Sequence, residues 1–184
     1  YAGQWLAVIG FLPVIAAQAG WSGAALGGLT ALAAGVNIVG NLATGRFLQR
    51  GATPGAMLAV GFTAMGLAAT AAFAGASQSG LAPHWRYLAV LGFSMLGGFI
   101  PATLFALAVQ LAPSPHTLAT TVGWVQQWSA FGQFVIPPLV AWVASRAEGW
   151  QWTWLVTCAC SALGLMLAGR LAHAVRAPPR RAAP

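Results

Sequence analysis

The chain has 184 residues, 59% of them hydrophobic and 5% charged, against about 25% charged residues in a soluble domain. With a mean hydropathy of +0.76 it cannot build a water-facing surface, and a bilayer is the solvent that suits it. The net charge of +7 comes from eight arginines against one acid, Glu148; they flank apolar runs without forming a dense basic stripe, which argues against a nucleic-acid surface.

Six apolar stretches follow one another at 1–19, 24–47, 55–75, 87–112, 118–144 and 152–172, each near the roughly 20 residues a crossing takes. The first starts at Tyr1, carries Gln4 and Pro13, and lacks the charged start and cleavage site of a signal peptide. The chain therefore reads as a piece of something longer. Gly20-Trp21-Ser22-Gly23 is a tight turn in which Ser22 is placed as a helix N-cap. The second stretch holds Asn37 and Asn41, four apart and so on one helix face. Residues 46–54 form a short basic loop, with Pro54 positioned to open the next helix. The polar segment 77–86 leads to the fourth stretch, which contains Pro101, and Pro113-Ser114-Pro115-His116 ends it.

The fifth stretch contains GWVQQWSAFGQFVIPP, residues 123–138. A glutamine amide in hydrocarbon without partners costs a few kcal/mol, so Gln126, Gln127 and Gln133 demand an offsetting interaction. Gln126 and Gln133 are seven apart and share a face with Ala130 and Pro137; Gln127 and Trp128 lie beside that stripe, and Pro138 follows it. Trp150, Trp152 and Trp154 form an interfacial aromatic belt next to Arg146 and Glu148. Cys158 and Cys160 are two apart on a helix, point to nearly opposite faces, and read as small packing residues. Residues 1–175 thus read as one six-helix transmembrane bundle, an all-α fold, followed by a basic Pro/Arg-rich tail at 176–184.

Orientation follows from the arginines. Arg46, Arg50, Arg170, Arg176, Arg180 and Arg181 fall on one side, and only Arg86 and Arg146 on the other, which places both termini in the cytoplasm. The absence of lysine beside abundant Ala, Gly, Pro and Arg points to a GC-rich bacterial source and hence to the inner membrane. Gly23, Gly27, Gly28, Ala31, Gly35, Gly92, Gly97 and Gly98 are expected to let helix backbones approach closely.

The segment GRFLQRG, Gly45 to Gly51, resembles the loop motif Gly-x-Leu-Ala-Asp-Arg-x-Gly of the major facilitator superfamily, and it falls after the second of six helices. Gly45 takes the first glycine, Phe47 the leucine, Leu48 the alanine and Arg50 the arginine, while Gln49 stands where the family has aspartate. GQFVIPPLVAWVASRAEGWQWTW is similar to the end of that superfamily's eleventh helix and the start of its twelfth. YAGQWLAVIGFLP is similar to a seventh helix of its cyanate and nitroimidazole transporter-like branch. The resemblance covers essentially the whole chain. It implies the C-terminal half of a twelve-helix carrier, whose partner would be a missing N-terminal half, with Gly45, Phe47, Gln49 and Arg50 as a gating loop. Gln49 keeps a hydrogen bond but not the charge, which implies a weaker latch. The resemblance also implies that the first, second, fourth and fifth helices line the path.

On that basis Gln4, Asn37, Asn41, Gln126, Gln127, Trp128 and Gln133 are the expected substrate contacts, and Pro13, Pro101, Pro137 and Pro138 the bending points. Water can satisfy the backbone groups that such prolines free. The bland alternative is that the amides make interhelical hydrogen bonds of about 1 kcal/mol each. The third and sixth helices, without mid-span prolines or strong amides, are expected to be outer supports. No catalytic site is expected: Gly20-Trp21-Ser22-Gly23 matches the Gly-x-Ser-Gly of six-helix intramembrane proteases, but His173 falls on the other side of the membrane. His84 and His116 have no nearby acid, and the chain is too poor in ligating residues for a metal or cofactor. The reading is a secondary transporter of a small organic molecule working by alternating access, not an enzyme. The competing reading is a complete six-helix protein, either an assembly subunit or a membrane-embedded enzyme.

Overall fold

The computed structural model describes residues 1–18, 20–75 and 83–176. Most of the polar segment at 77–86, and the tail with Arg180 and Arg181, lie outside them. Among the described residues there is no strand. The helices are α1 (Ala2–Gln18), α2 (Gly23–Gln49), α3 (Pro54–Phe73), α4 (Pro83–Gly97), α5 (Phe99–Leu111), α6 (Leu118–Arg146) and α7 (Thr153–Arg176). One-turn 3-10 segments at Pro115–Thr117 and Trp150–Trp152 lead into α6 and α7.

The turns are built by glycines in the left-handed region. Gly51 has φ +92°, its N–H donates to Leu48 O at 3.1 Å, and Ala52 N–H donates to Phe47 O at 2.9 Å. This 5→2 and 6→1 pairing satisfies the orphan carbonyls at the end of α2. Gly20, at φ +88°, closes α1 in the same way through Gly20 N–H to Ala17 O and Trp21 N–H to Ala16 O, both 3.0 Å. Thr53 then caps α3, its hydroxyl accepting from Ala56 N at 3.3 Å, with Pro54 in the first turn as expected. Ser22 occupies the N-cap position of α2 by backbone but makes no side-chain cap. At the end of α6 the left-handed position falls on Glu148, at φ 53°, while Gly149 N–H donates to Ala144 O at 2.9 Å.

Four helical segments are long and apolar enough to cross a membrane: Gly23–Gln49, Pro54–Phe73, His84–Leu111 and Trp150–His173. The expected fourth stretch is thus one span made of α4 and α5, bent at Gly98. Pro101 has no N–H to give to Gly97 O and its ring crowds that carbonyl, so the regular ladder stops there. The first stretch, α1, is a shorter apolar helix. The fifth, α6, is the longest helix at 29 residues but falls outside the apolar set, because Gln126, Gln127 and Gln133 sit among its aromatic residues.

Helix ends alternate between two faces of the bundle. Gly55 at the start of α3 abuts Ala172 near the end of α7. At the opposite end Phe11 of α1 meets Trp150 at 5.0 Å, and Trp21 meets Tyr87 at 5.7 Å. Arg46, Arg50 and Arg170 therefore share one end, and Arg86 and Arg146 the other.

The third helix, α3, is the element around which α4, α5 and α7 pack. Leu58, Phe62, Met65, Ala69, Ala72 and Phe73 are all buried on it, meeting Val90 and Phe93 of α4, Ile100 and Leu107 of α5, and Ala168 of α7. Its two polar side chains are threonines, Thr63 and Thr70, and Thr70 turns its hydroxyl back onto Gly66 O at 2.9 Å, so little polar surface interrupts the contact. In a bilayer this packing is held by dispersion rather than by expulsion of water.

Close backbone approach occurs at other glycines than most of those expected. A Cβ on Gly27, Gly28, Gly35 or Gly92 would meet nothing within 4 Å, so these glycines bring no helix closer. The tight points are Gly40 of α2 against Met95 O, Gly98 against Asn37 O, and Gly3 of α1 against Gly132 O of α6. Spacing alone does not say which side of a helix a neighbour takes.

Candidate functional site

Three groups of polar side chains within the spans bear on a site; outside them Tyr87 Oη of α4 donates to Leu29 O of α2 at 2.7 Å. The first is a cluster where α1, α2 and α4 meet. Asn37 Nδ2 donates to Ser94 O at 2.7 Å and to Tyr1 OH at 3.0 Å. Asn41 Nδ2 donates to Asn37 Oδ1 and to Asn37 O, both at 2.9 Å, as their four-residue spacing on one face allows. Trp5 Nε1 donates to Ser94 Oγ at 3.0 Å, tying α1 to α4 from the other side. Asn37 and Asn41 are half-buried, and Ser94 is fully buried. The cluster lies beside the α4–α5 bend, since Gly98 packs against Asn37 O and the Asn41 amide.

The second group is Gln4, which is 1% exposed. Its Oε1 accepts from Ser161 Oγ of α7 at 3.3 Å, and its Nε2 meets Met65 Sδ of α3 at 3.5 Å. Gln4 is enclosed by protein and bridges α1, α3 and α7, away from any open surface. Cys158 makes a comparable local contact, 3.3 Å from Thr70 Oγ1.

The third group is the row on α6. Gln126, Gln127, Trp128 and Gln133 are all exposed. Gln133 Nε2 reaches only Ser129 O and Ser129 Oγ, each at 3.4 Å, which is long for a hydrogen bond. Pro137 and Pro138 lie within the same helix and offer no N–H to the carbonyls of Gln133 and Phe134. Two backbone acceptors are thereby left free of ladder partners next to the Gln133 amide. Trp124, Phe131, Phe134 and Trp142 are exposed along the same helix, with Trp128 and Phe131 in edge contact at 6.0 Å. Arg146 lies over the Trp142 ring, 5.8 Å from its centroid.

These groups are not one pocket. Among the described residues no hydrogen bond joins the α2 amides to the α6 amides. Both helices, however, neighbour α1 and α5, and both are the least buried of the bundle: α2 buries Ala33, Gly40 and Thr44, and α6 only Val140 and Ala144. The bundle thus has a packed side built on α3 and α7, and an open side presenting α2 and α6.

The expected gating loop is mostly helix. Gly45, Phe47 and Gln49 belong to the last turns of α2, and Arg50 is its C-cap, leaving only residues 50–53 as a turn. Phe47 packs edge-on against Phe99 of α5 at 6.0 Å; Gln49 and Arg50 are exposed. Pro13 sits inside α1 without interrupting it, whereas Pro101 sets the bend between α4 and α5.

Tyr1, Trp5, Ser94 and Ser161 are the further partners in the first two groups. Tyr1 and Trp5 are four apart, so their shared face was readable; their partners, 36 and 89 residues away, were not. Among the described residues no three of His, Cys, Asp or Glu come together in a way that could hold a metal.

No protein-family model and no curated protein matches the chain.

Proposed function

We propose that the chain is the C-terminal half of a twelve-helix secondary transporter of the major facilitator type, moving a small organic molecule by alternating access. The observation that carries this reading is the open side of the bundle. There α6 leaves Gln126, Gln127 and Gln133 exposed beside the carbonyls of Gln133 and Phe134, to which Pro137 and Pro138 offer no N–H. Hydrocarbon would leave those groups unsatisfied, at a few kcal/mol each. Water and a polar substrate would satisfy them, and a second six-helix half would cover the exposed aromatic residues around them.

Support also comes from GRFLQRG at the α2–α3 turn, from the alternating helix ends, and from the bend at Gly98 next to the Asn37 cluster. The six-span count, with α1 and α6 as the two further crossings, belongs to this proposal, as do the cytoplasmic placement of both termini and the bacterial inner membrane. No arginine, lysine or acid lies among these amides, so this half offers neutral hydrogen bonding and aromatic surface. Within the reading, Asn41, Gln126, Gln127, Trp128 and Gln133 contact substrate, and Gln4 holds helices together. Catalysis has no part in it.

Cysteine accessibility in the full-length protein tests the reading. Gln126→Cys and Gln133→Cys should react with membrane-impermeant thiol reagents, and Leu163→Cys and Leu167→Cys, on the exposed apolar side of α7, should not. Equal protection of both pairs would mean that the α6 amides meet protein or lipid rather than water, and the transport path would have to be sought elsewhere.

A further inference from the structure

A cavity of about 590 Å³ opens between the ends of α3, α5 and α7. Its deep wall is apolar, made by Leu58, Leu107 and Leu165. Its polar residues, Thr53 and Gln110, belong to the N-cap of α3 and the last turn of α5, at the very end of the bundle. The volume falls in the range of about 300–1,000 Å³ usual for small-molecule sites. An apolar depth with a polar mouth at a helix end matches an amphiphile whose head lies at the membrane interface.

The charge of that end selects the head. Arg50 is exposed three residues before Thr53, and Arg170 is exposed between the lining residues Gly169 and Leu171. Arg46 is exposed one turn before Arg50, and the only acid, Glu148, belongs to the opposite end. Long arginine side chains reach along apolar surface to place their guanidinium groups at headgroup level, where phosphate is a preferred partner.

We infer that this cavity is a specific site for an anionic phospholipid, one acyl chain lying along Leu58, Leu107 and Leu165 and the phosphate meeting Arg50 and Arg170. It requires that these helices sit in a bilayer, and it is independent of whether the protein transports anything.

Native mass spectrometry of the delipidated chain, titrated with phosphatidylglycerol or phosphatidylcholine, tests it. One phosphatidylglycerol should be retained per chain in preference to phosphatidylcholine. Each basic residue near an anionic lipid surface strengthens association about fivefold, so Arg50→Gln with Arg170→Gln should weaken phosphatidylglycerol about 25-fold and leave phosphatidylcholine unchanged. Ala59→Phe or Ala168→Phe, which fill the cavity from α3 or from α7, should remove the retained lipid of either kind, with helical circular dichroism showing that the fold persists. Glycerol phosphate, which carries the charge without the chain, should not compete. Equal retention of the two lipids by the unmodified chain would overturn the inference. So would undiminished phosphatidylglycerol binding in a folded cavity-filled variant, displacement by glycerol phosphate, or insensitivity to the paired arginine change. That last comparison stands even if both phenylalanine variants fail to fold.

Discussion

Asn37→Ala is the most informative single change to the polar cluster. Asn37 makes two interhelical bonds, to Ser94 O at 2.7 Å and Tyr1 OH at 3.0 Å, and accepts one bond from Asn41 within α2. Interhelical bonds in membranes are worth about 0.6–1 kcal/mol each. The acceptors are not left bare, which limits the loss: Ser94 O still receives Gly98 N–H at 3.2 Å, and Asn41 still donates to Asn37 O. Only the Tyr1 hydroxyl loses its partner outright. The sum is about 1–2 kcal/mol of destabilisation, mostly from the two contacts to α4 and α1. Asn41→Ala breaks bonds within a single helix and should cost under about 1 kcal/mol. Reversible unfolding of the two variants in mixed detergent micelles, followed by tryptophan fluorescence, measures the difference. If Asn37→Ala lies within about 0.5 kcal/mol of the unmodified chain, the cluster does not tie α1, α2 and α4 together, and its polar groups are free to serve something else.

Gly40→Ala drives a methyl group into the Met95 carbonyl, which flexible side-chain movement cannot relieve; it should destabilise by about 1–3 kcal/mol. Gly35→Ala, on a face with nothing within 4 Å, should be neutral or mildly stabilising, and thermal midpoints of the pair would expose any error in the α2–α4 packing. Glu148→Gly relieves a left-handed backbone at φ 53° and should stabilise by about 1 kcal/mol; no gain in thermal midpoint would mean that the α6–α7 turn is held by other contacts. Reporter insertions at Ala52 and at Glu148 should report opposite sides of the membrane, because those turns lie at opposite ends of the bundle; the same side for both would refute the alternation of helix ends.

Turn chemistry was the most legible part of the fold. Gly20 and Pro54 announce their roles in sequence because a left-handed residue or a missing N–H permits few alternatives, while the helix-ending role of Gly51 emerged only in the structure. The bend at Gly98 could have been anticipated from Pro101, three residues on, although the hydropathy of 87–112 reads as one unbroken run. Side-chain partners were far less legible. Gln4 and Gln126 look alike in sequence, yet Ser161, 157 residues away, encloses one while the other stays open. Glycine positions divide in the same way: Gly40 is indispensable for contact and Gly27, Gly28 and Gly35 are not, because the azimuth of the neighbouring helix is a tertiary fact. The centrality of α3 was hidden for a related reason. A helix whose only polar side chains are two threonines suits lipid and protein equally well, and only packing decides between them.

The seat of the α4–α5 bend has a mechanical consequence. Gly98 is wedged against the backbone of α2 at Asn37 and Asn41, and one turn below the wedge Asn37 grips the carbonyl of Ser94. The two arms, α4 and α5, both rest on α3, through Val90 and Phe93 on one side of the bend and Ile100 and Leu107 on the other. A movement of either arm away from α3 would therefore have to break the Gly98 and Ser94 contacts with α2 or carry α2 with it.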